Sequence, residues 1–306
     1  MSSEPMRVFL DTDIGPDCDD TAALAILLQL CREGRASLLG VTHCTGSPYG
    51  LAAIDAICRP FGASPTLGTC ADKAFLASGS ALCYTPAIAA AFPHGYPPGA
   101  PQPDALNALM QALSPVPAQS VTFIAIGPLR NVARFLTHPD AARLMHEKVA
   151  RIVLMAGCLE AEPPLAEWNV EMDVPAARAL LELWPGELRL CPFEAYADVL
   201  TGACLSDYPQ NPVSVAYRLH TKGAMLRPSW DPGTVAAAVL GPKAPFEWSR
   251  AGTVTLDAAG ITRFAPHAGG KHFYMRRAGC AQDAAAQLEA LLRRAVETMA
   301  QSIAVV

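Results

Sequence analysis

A short apolar run, RVFLD (Arg7–Asp11), feeds straight into the acidic loop DTDIGPDCDD (residues 11–20), and the loop into TAALAILLQLC (Thr21–Cys31), a block of strong helix formers closed by Gly34. An apolar run that ends in charge and is followed by helix formers reads as strand, loop, helix. Leu38–His43 then reads as a second buried strand and Gly50–Arg59 as a second helix. Alternation of this kind is satisfied by parallel strands joined through right-handed helical crossovers. It resumes beyond a Pro/Gly-rich stretch at residues 93–103, with a helix at Asp104–Leu113, a strand at Val121–Ile126, a helix from Leu129, a strand at Arg151–Met155, a helix at Val174–Leu183 and a strand at Glu187–Cys191. Beyond residue 195 the order loosens into helices, two strands at Thr253–Leu256 and His272–Met275, and a final helix, Ala281–Ala300.

No serine-rich linker or charge block divides the chain. The expected architecture is therefore a single α/β domain over residues 1–306: an open, mostly parallel, Rossmann-like sheet flanked by helices, with a smaller strand-containing C-terminal edge. In such sheets the ligand crevice lies outside the carboxyl ends of the strands, so the loops that follow strands are where chemistry is expected. A chain of 306 residues buries roughly three-quarters of its unfolded surface and needs neither disulfides nor metal merely to fold. With a net charge of −5 and no Lys/Arg-rich run, neither a nucleic-acid nor an anionic-membrane partner is expected. The longest apolar stretches, Leu24–Leu28 and Val121–Ile126, are far too short to span a bilayer. Glu4, Arg7 and Asp11 interrupt what would be the apolar part of a secretory signal, so a cytoplasmic protein is expected. The ten cysteines show no C-x-x-C and no paired Cys/His spacing, and read as reduced, mostly buried thiols.

Five aspartates fall within the ten residues of the acidic loop: Asp11, Asp13, Asp17, Asp19 and Asp20. Like charges this close are costly in a crevice unless a cation neutralises them or some take up protons. Carboxylates without nearby Cys or paired His favour Ca²⁺ or Mg²⁺ over zinc. The bland alternative is a solvated loop in which Asp19 or Asp20 caps the following helix; the position directly after a buried strand favours a functional site. An EF-hand needs Glu at the twelfth loop position, but counting from Asp11 gives Ala22 and from Asp13 gives Leu24. A phosphoryl-transfer site of the haloacid-dehalogenase type also opens on a strand and D-x-D, but no clear G-D-x-x-x-D element follows downstream.

RVFLDTDIGPDCDDTAAL resembles the opening of the inosine–uridine-preferring nucleoside hydrolase family, whose first strand runs into D-x-D-x-G…D-D-A-x-A-L. Further matches occur in order. AIGPLRNVA (125–133) looks like the family's G-P-L-T-N segment, RIVLMAG (151–157) like its V-V-x-M-G-G strand, AEWNVEMDVPAA (166–177) like its A-E-F-N…D-P-x-A-A element, and SWDPGTVAAAV (229–239) like its H-D-P…A-V-A segment. The resemblance implies Ca²⁺-dependent hydrolysis of the N-glycosidic bond of ribonucleosides, one ion per subunit, in a homodimer or homotetramer. Carried over residue by residue, Asp13 is metal ligand and general base, Asp20 and Asp231 are carboxylate ligands, Ile126 contributes its backbone carbonyl, and Asp19, Glu167 and Asn169 contact the ribose. Asp11 falls behind the site as a support for it. Glu167 and Asn169, two apart, are expected to point the same way from an extended segment, with Trp168 between them packed into the protein. Asp231, followed by Pro232, also suits the cap of a helix.

The chain departs from the family pattern at four places. The acidic loop is two residues longer, with IGPDC between Asp13 and Asp19, which adds Asp17 as a ligand or a loop support. Gly46-Ser47 stands where the family has G-N, so Ser47 offers a hydroxyl for an amide. No asparagine lies among Cys158–Leu165 to meet the ribose 5′-hydroxyl. Trp230 replaces the histidine that precedes the late Asp in many members, where an imidazole can protonate the leaving base; an indole cannot, but it can stack on one. His43, His220 and His272 remain as sources of a proton. A metal-dependent ribose or nucleoside binder without catalysis is the second reading.

Overall fold

The computed structural model describes residues 4–303. Its strands are β1 (Met6–Thr12), β2 (Ala36–His43), β3 (Thr66–Thr69), β4 (Val121–Ala125), β5 (Val149–Met155), β6 (Glu187–Cys191), β7 (Leu200–Thr201), β8 (Arg227–Pro228), β9 (Phe246–Trp248), β10 (Gly252–Leu256), β11 (Thr262–Pro266) and β12 (His272–Arg277). Ten of them form one sheet in the order β11-β10-β12-β6-β5-β4-β1-β2-β3, with β9 added to β12, while β7 and β8 make a separate antiparallel ribbon. From β3 across to β12 every neighbouring pair is parallel. Within this sheet the antiparallel pairings are those of β9 and β10 with β12 and of β10 with β11, at the C-terminal edge.

The hydrophobic pattern of β1 explains its central place. Val8 and Leu10 point into the layer that holds helices Asp19–Arg32, Trp230–Leu240 and Ala281–Ile303, whereas Phe9 points into the opposite layer, with helices Ala105–Leu113 and Arg130–Thr137. Phe9 stacks on Phe123 of β4 at 5.3 Å between centroids, and Phe135 meets Phe123 edge-on at 6.3 Å. Such aromatic pairs contribute about 0.5–1.5 kcal/mol each beyond their burial. A strand buried on both faces reads as an unbroken apolar run, as RVFLD does.

Several elements differ from the sequence reading. The helix from Leu129 stops at Thr137, because His138 is extended ahead of Pro139, and Pro139 starts a second helix to Lys148. β3, β7, β8, β9 and β11 are additional to that reading: the first four are four residues or fewer, too short for a period-two signal, and β11, TRFAP, is mostly exposed and carries no apolar run. All ten cysteines are free, and only Cys83 and Cys280 are exposed. Among the described residues no helix is long and apolar enough to cross a membrane.

From β1 the chain moves outward through β2 to β3, and it returns on the other side of β1 with β4, β5 and β6. The strand order therefore reverses between β1 and β4, and a crevice opens at their carboxyl ends.

Candidate active site

A cavity of about 380 Å³ occupies that crevice, lined by loops that follow β1, β4 and β5 and by the start of helix Trp230–Leu240. Asp13, Asp19, Asp20, Ile126, Glu167, Asn169, Trp230 and Asp231 all line it. Ser47 does not: it lies in a separate depression with Gly46, Pro48 and Lys73, and its backbone N–H donates to Thr45 Oγ1 at 3.3 Å. A phosphoryl-transfer site of the haloacid-dehalogenase type also needs a lysine, and among the described residues none lines the main cavity.

Asp19 and Asp20 are the first two residues of helix Asp19–Arg32, and Asp231 is the second of helix Trp230–Leu240. None of them caps a helix: the N-caps are Cys18 and Ser229, without side-chain bonds. The two helix N-termini converge instead, and Asp231 donates its backbone N–H to Asp19 Oδ2 at 3.0 Å. Carboxylate oxygens of Asp19, Asp20 and Asp231 lie within 4.8 Å of one another. Helix N-termini favour negative charge there, yet burial and mutual repulsion outweigh them. Burial first, then the charges of Asp17 and Asp20, pushes Asp19 well above the usual carboxylate range. Burial and then Asp19 does the same to Asp231. Burial holds Asp20 at about 7, despite the hydrogen bond from the Thr12 hydroxyl. Asp13, at the end of β1, is likewise raised by burial and then by Asp20. A buried, all-oxygen donor set with surplus negative charge suits a hard divalent cation.

The loop that follows β4 makes this packing possible through Gly127. A Cβ there would lie 2.7 Å from Asp13 Oδ1, 2.8 Å from Cys44 Sγ and 2.9 Å from Asp13 Cβ, so only glycine admits Asp13 at this depth. Asp11 sits one layer below, 0% exposed. Its Oδ1 accepts from Thr42 Oγ1 at 2.5 Å and Asn131 Nδ2 at 2.8 Å, while burial raises the carboxyl to about 7. Asn131 also reaches the His43 carbonyl at 3.1 Å, which ties the ends of β1 and β2 to helix Arg130–Thr137.

Opposite the aspartates, Glu167 caps a helical turn, Trp168–Glu171, and Asn169 is its second residue; the segment is not extended, as the sequence reading had it. Glu167 accepts from Asn169 N at 2.9 Å and Gly157 N at 3.1 Å, yet burial still raises it to about 7. Asn169 Nδ2 donates to the Met155 carbonyl at 3.0 Å. Trp168 is 38% exposed and lines the cavity, contrary to the expectation that it packs inward. The cap geometry sends Glu167 and Asn169 into the cavity and turns the residue between them towards its mouth.

The mouth is built around the extra aspartate. Asp17 is held by Arg227, which donates Nε–H to Oδ1 at 2.9 Å and Nη2–H to Oδ2, and His220 Nε2 lies 3.4 Å from Oδ1. The Arg227 guanidinium lies over the Trp230 ring at 5.1 Å. Trp230 stacks on Phe193 at 5.3 Å and donates Nε1–H to the Phe193 carbonyl at 3.0 Å. Tyr84 pins the same loop from beneath, accepting from Gly15 N at 2.8 Å and donating to the Asp17 carbonyl at 2.6 Å. Of the three histidines, His220 alone lines the cavity. His43 is buried against the Ile14 carbonyl at 3.1 Å and held neutral by burial at about 4. His272 accepts from Val254 N at 2.9 Å, in the C-terminal edge. Arg227 and Tyr84 escaped the sequence reading. For Arg227 a signal existed, since an additional buried-loop carboxylate calls for a counter-ion; for Tyr84 there was none.

The sequence profile of the family described as inosine-uridine preferring nucleoside hydrolase matches residues 8–272. The pyrimidine-specific ribonucleoside hydrolase RihA of Klebsiella pneumoniae is 37% identical over 89 residues, 28% of this chain and 27% of that protein, so the match spans about a quarter of the curated relative's length. Among solved structures, a purine-preferring ribonucleoside hydrolase from Gardnerella vaginalis superposes with a TM-score of 0.71 at 17% identity, over 97% of this chain and 100% of the other. The type III effector protein XopQ, complexed with adenosine diphosphate ribose, superposes with a TM-score of 0.67 at 18% identity, over 96% and 95%. At these identities the structures share the fold.

Proposed function

Because the chain belongs to the inosine-uridine preferring nucleoside hydrolase family, we propose that it hydrolyses the N-glycosidic bond of a ribonucleoside, releasing ribose and free base. The observation that carries the reading is the convergence of Asp13, Asp19, Asp20 and Asp231 in one buried cavity, faced by Glu167 and Asn169. Asp13, Asp20, Asp231 and the Ile126 carbonyl would hold Ca²⁺, one per subunit. When bound, the ion supplies Lewis acidity towards water and a template for vicinal ribose hydroxyls.

The chain's own residues carry the rest. Asp13 takes a proton from the attacking water. Asp19, Glu167 and Asn169 accept hydrogen bonds from ribose hydroxyls, which fix C1′ beside that water. Buried carboxylates around the sugar favour the positive charge that develops on it as the C–N bond breaks. Trp230, Phe193 and Trp168 offer planar apolar faces to the base. The relatives named above include a pyrimidine-specific and a purine-preferring hydrolase, so both base classes are candidate leaving groups.

The proposal extends to one functional unit over residues 1–306, acting in the cytoplasm as a homodimer or homotetramer; sedimentation and cell fractionation test these points. Its central test is calcium-dependent release of base from a panel of purine, pyrimidine and nicotinamide ribosides, with Asp13→Asn as control. Release lost in a folded Asp13→Asn variant supports the assignment, and near-normal turnover by that variant sinks it. Trp230, standing where an imidazole is usual, favours a second reading: a riboside or ADP-ribose binder without turnover. Binding of these compounds with no release from any of them would establish it.

A further inference from the structure

We infer that His220, beside the Asp17 carboxylate, delivers the proton to the departing base. The inference rests on the hydrolase reading and assigns the one role that reading leaves vacant. Trp230 occupies the place before Asp231 and cannot serve, since its Nε1–H is committed to the Phe193 carbonyl at 3.0 Å and an indole holds its proton. His43 is fully buried on the Ile14 carbonyl, and His272 lies outside the cavity. His220 lines it together with Trp230, Arg227 and Asp17.

Three features fit His220 to the task. Its Nε2 lies 3.4 Å from Asp17 Oδ1, so the carboxylate's charge stabilises the imidazolium while leaving Nδ1 unclaimed by Asp17. It is the last residue of helix Pro212–His220, where the negative end of the helix dipole favours a cation. It is half-buried, with the side chain 19% exposed, open enough to regain a proton from solvent. The groups around it are Asp17, which raises its proton affinity, Arg227, which lowers it, and the Cys18 thiol, which burial keeps protonated. Burial acts most strongly and lowers the proton affinity, which makes His220 a stronger acid and a less populated one.

Asp17 belongs to the longer acidic loop, and the loop is docked so that it reaches His220. Tyr84 holds Gly15 and the Asp17 carbonyl, and Arg227 holds the carboxylate from the other side. The longer loop thus sets Asp17 beside the cavity's histidine, at the end of helix Pro212–His220, across the cavity lining from Trp230. In the step, water oxygen bonds C1′ and its proton passes to Asp13. The C1′–N electron pair goes to the base nitrogen, and a base nitrogen takes the imidazolium proton. His220 regains a proton from solvent as Asp13 loses one, so the balance is riboside plus water to ribose plus protonated base nitrogen.

The test compares the full chain with His220→Gln and Asp17→Asn, in calcium, on two substrate types: uridine and inosine, whose bases need a proton, and 4-nitrophenyl β-D-ribofuranoside, whose phenolate leaves without one. His220→Gln should lower the ratio of kcat/KM for nucleoside to that for the nitrophenyl riboside by ~10²–10⁴-fold, the usual worth of general-acid help, through kcat rather than KM. It should also remove the alkaline limb of the kcat profile for nucleosides, and Asp17→Asn should move that limb to lower pH. An unchanged ratio in His220→Gln, with wild type active on both substrates, overturns the inference and leaves the hydrolase reading standing. Wild type inactive on both overturns the hydrolase reading and this inference with it.

Discussion

Adding one methyl group at Gly127 tests whether close packing behind Asp13 sets the catalytic geometry. In Gly127→Ala the new Cβ would meet Asp13 Oδ1 at 2.7 Å, Cys44 Sγ at 2.8 Å and Asp13 Cβ at 2.9 Å. Ordinary carbon contacts need ~3.5–4.0 Å, so the contact to Asp13 Cβ alone demands a retreat of roughly 0.6 Å or more. Asp13 cannot rotate out of reach, because its own Cβ is one of the clashing atoms and it follows directly on the hydrogen-bonded end of β1. Overpacking of this size typically costs about 1–3 kcal/mol. In a chain of this length that lowers Tm by a few degrees, at roughly 2–4 °C per kcal/mol. The effect on turnover should be larger, since about 1 Å of misplacement at a reacting group can cost ~10²-fold. Thermal denaturation and base-release kinetics on the same preparation measure both. Gly127→Ala/Cys44→Ala removes the sulfur from the clash and keeps the contacts to Asp13, so it should recover part of the stability and little of the activity. A Gly127→Ala variant with wild-type kcat and an unshifted Tm would refute the reasoning.

Two further outcomes follow from the buried polar groups. Asp11 and Glu167 hold protons to about 7 because of burial, against 3.8 and 4.5 as reference values. Their stabilisation is present in full below pH 4 and lost as pH rises through 7, on the order of 2–3 kcal/mol each between pH 5 and 7. His43, lowered by burial to about 4, acts in the opposite sense between pH 5 and 6.5 by on the order of 2 kcal/mol, so the carboxyls prevail. Urea midpoints in EDTA should therefore be higher at pH 5 than at pH 8, and the reverse order would show that these carboxyls are not buried as described. Tyr84→Phe strips the partner from the Gly15 N–H and the Asp17 carbonyl at a buried site. A loss of about 1–3 kcal/mol is expected, with faster amide exchange at Gly15 and Cys18; unchanged stability and exchange would mean that the hydroxyl does not anchor the loop.

The alternation of elements from β1 to β6 was legible because each signal is local. RVFLD, VTFIA and RIVLM are strands buried on both faces, and such strands are continuous apolar runs. The short strands of the C-terminal edge carry no such run, and their pairing depends on β6 offering a free flank to β12. At the cavity, ordered motifs brought Asp13, Asp20, Ile126 and Asp231 into consideration, and fold topology brings all four to one crevice. Ser47 shows the limit of motif position: it follows β2 at the expected place, but its loop turns towards Lys73. The orientation of Trp168 depends on a cap that Glu167 makes with the backbone, which residue spacing does not encode.

The sequence by itself determined the parallel α/β core, the acidic loop at the end of its first strand and the family, since periodicity, composition and motif order are written along the chain. Only the tertiary structure decided that Asp17 serves Arg227 and His220 rather than joining Asp19, Asp20 and Asp231. It alone placed His220, of the three histidines considered, in the cavity, and it alone showed why residue 127 is glycine. These outcomes depend on atoms from segments up to 210 positions apart in the chain, and no local pattern records which of them will meet.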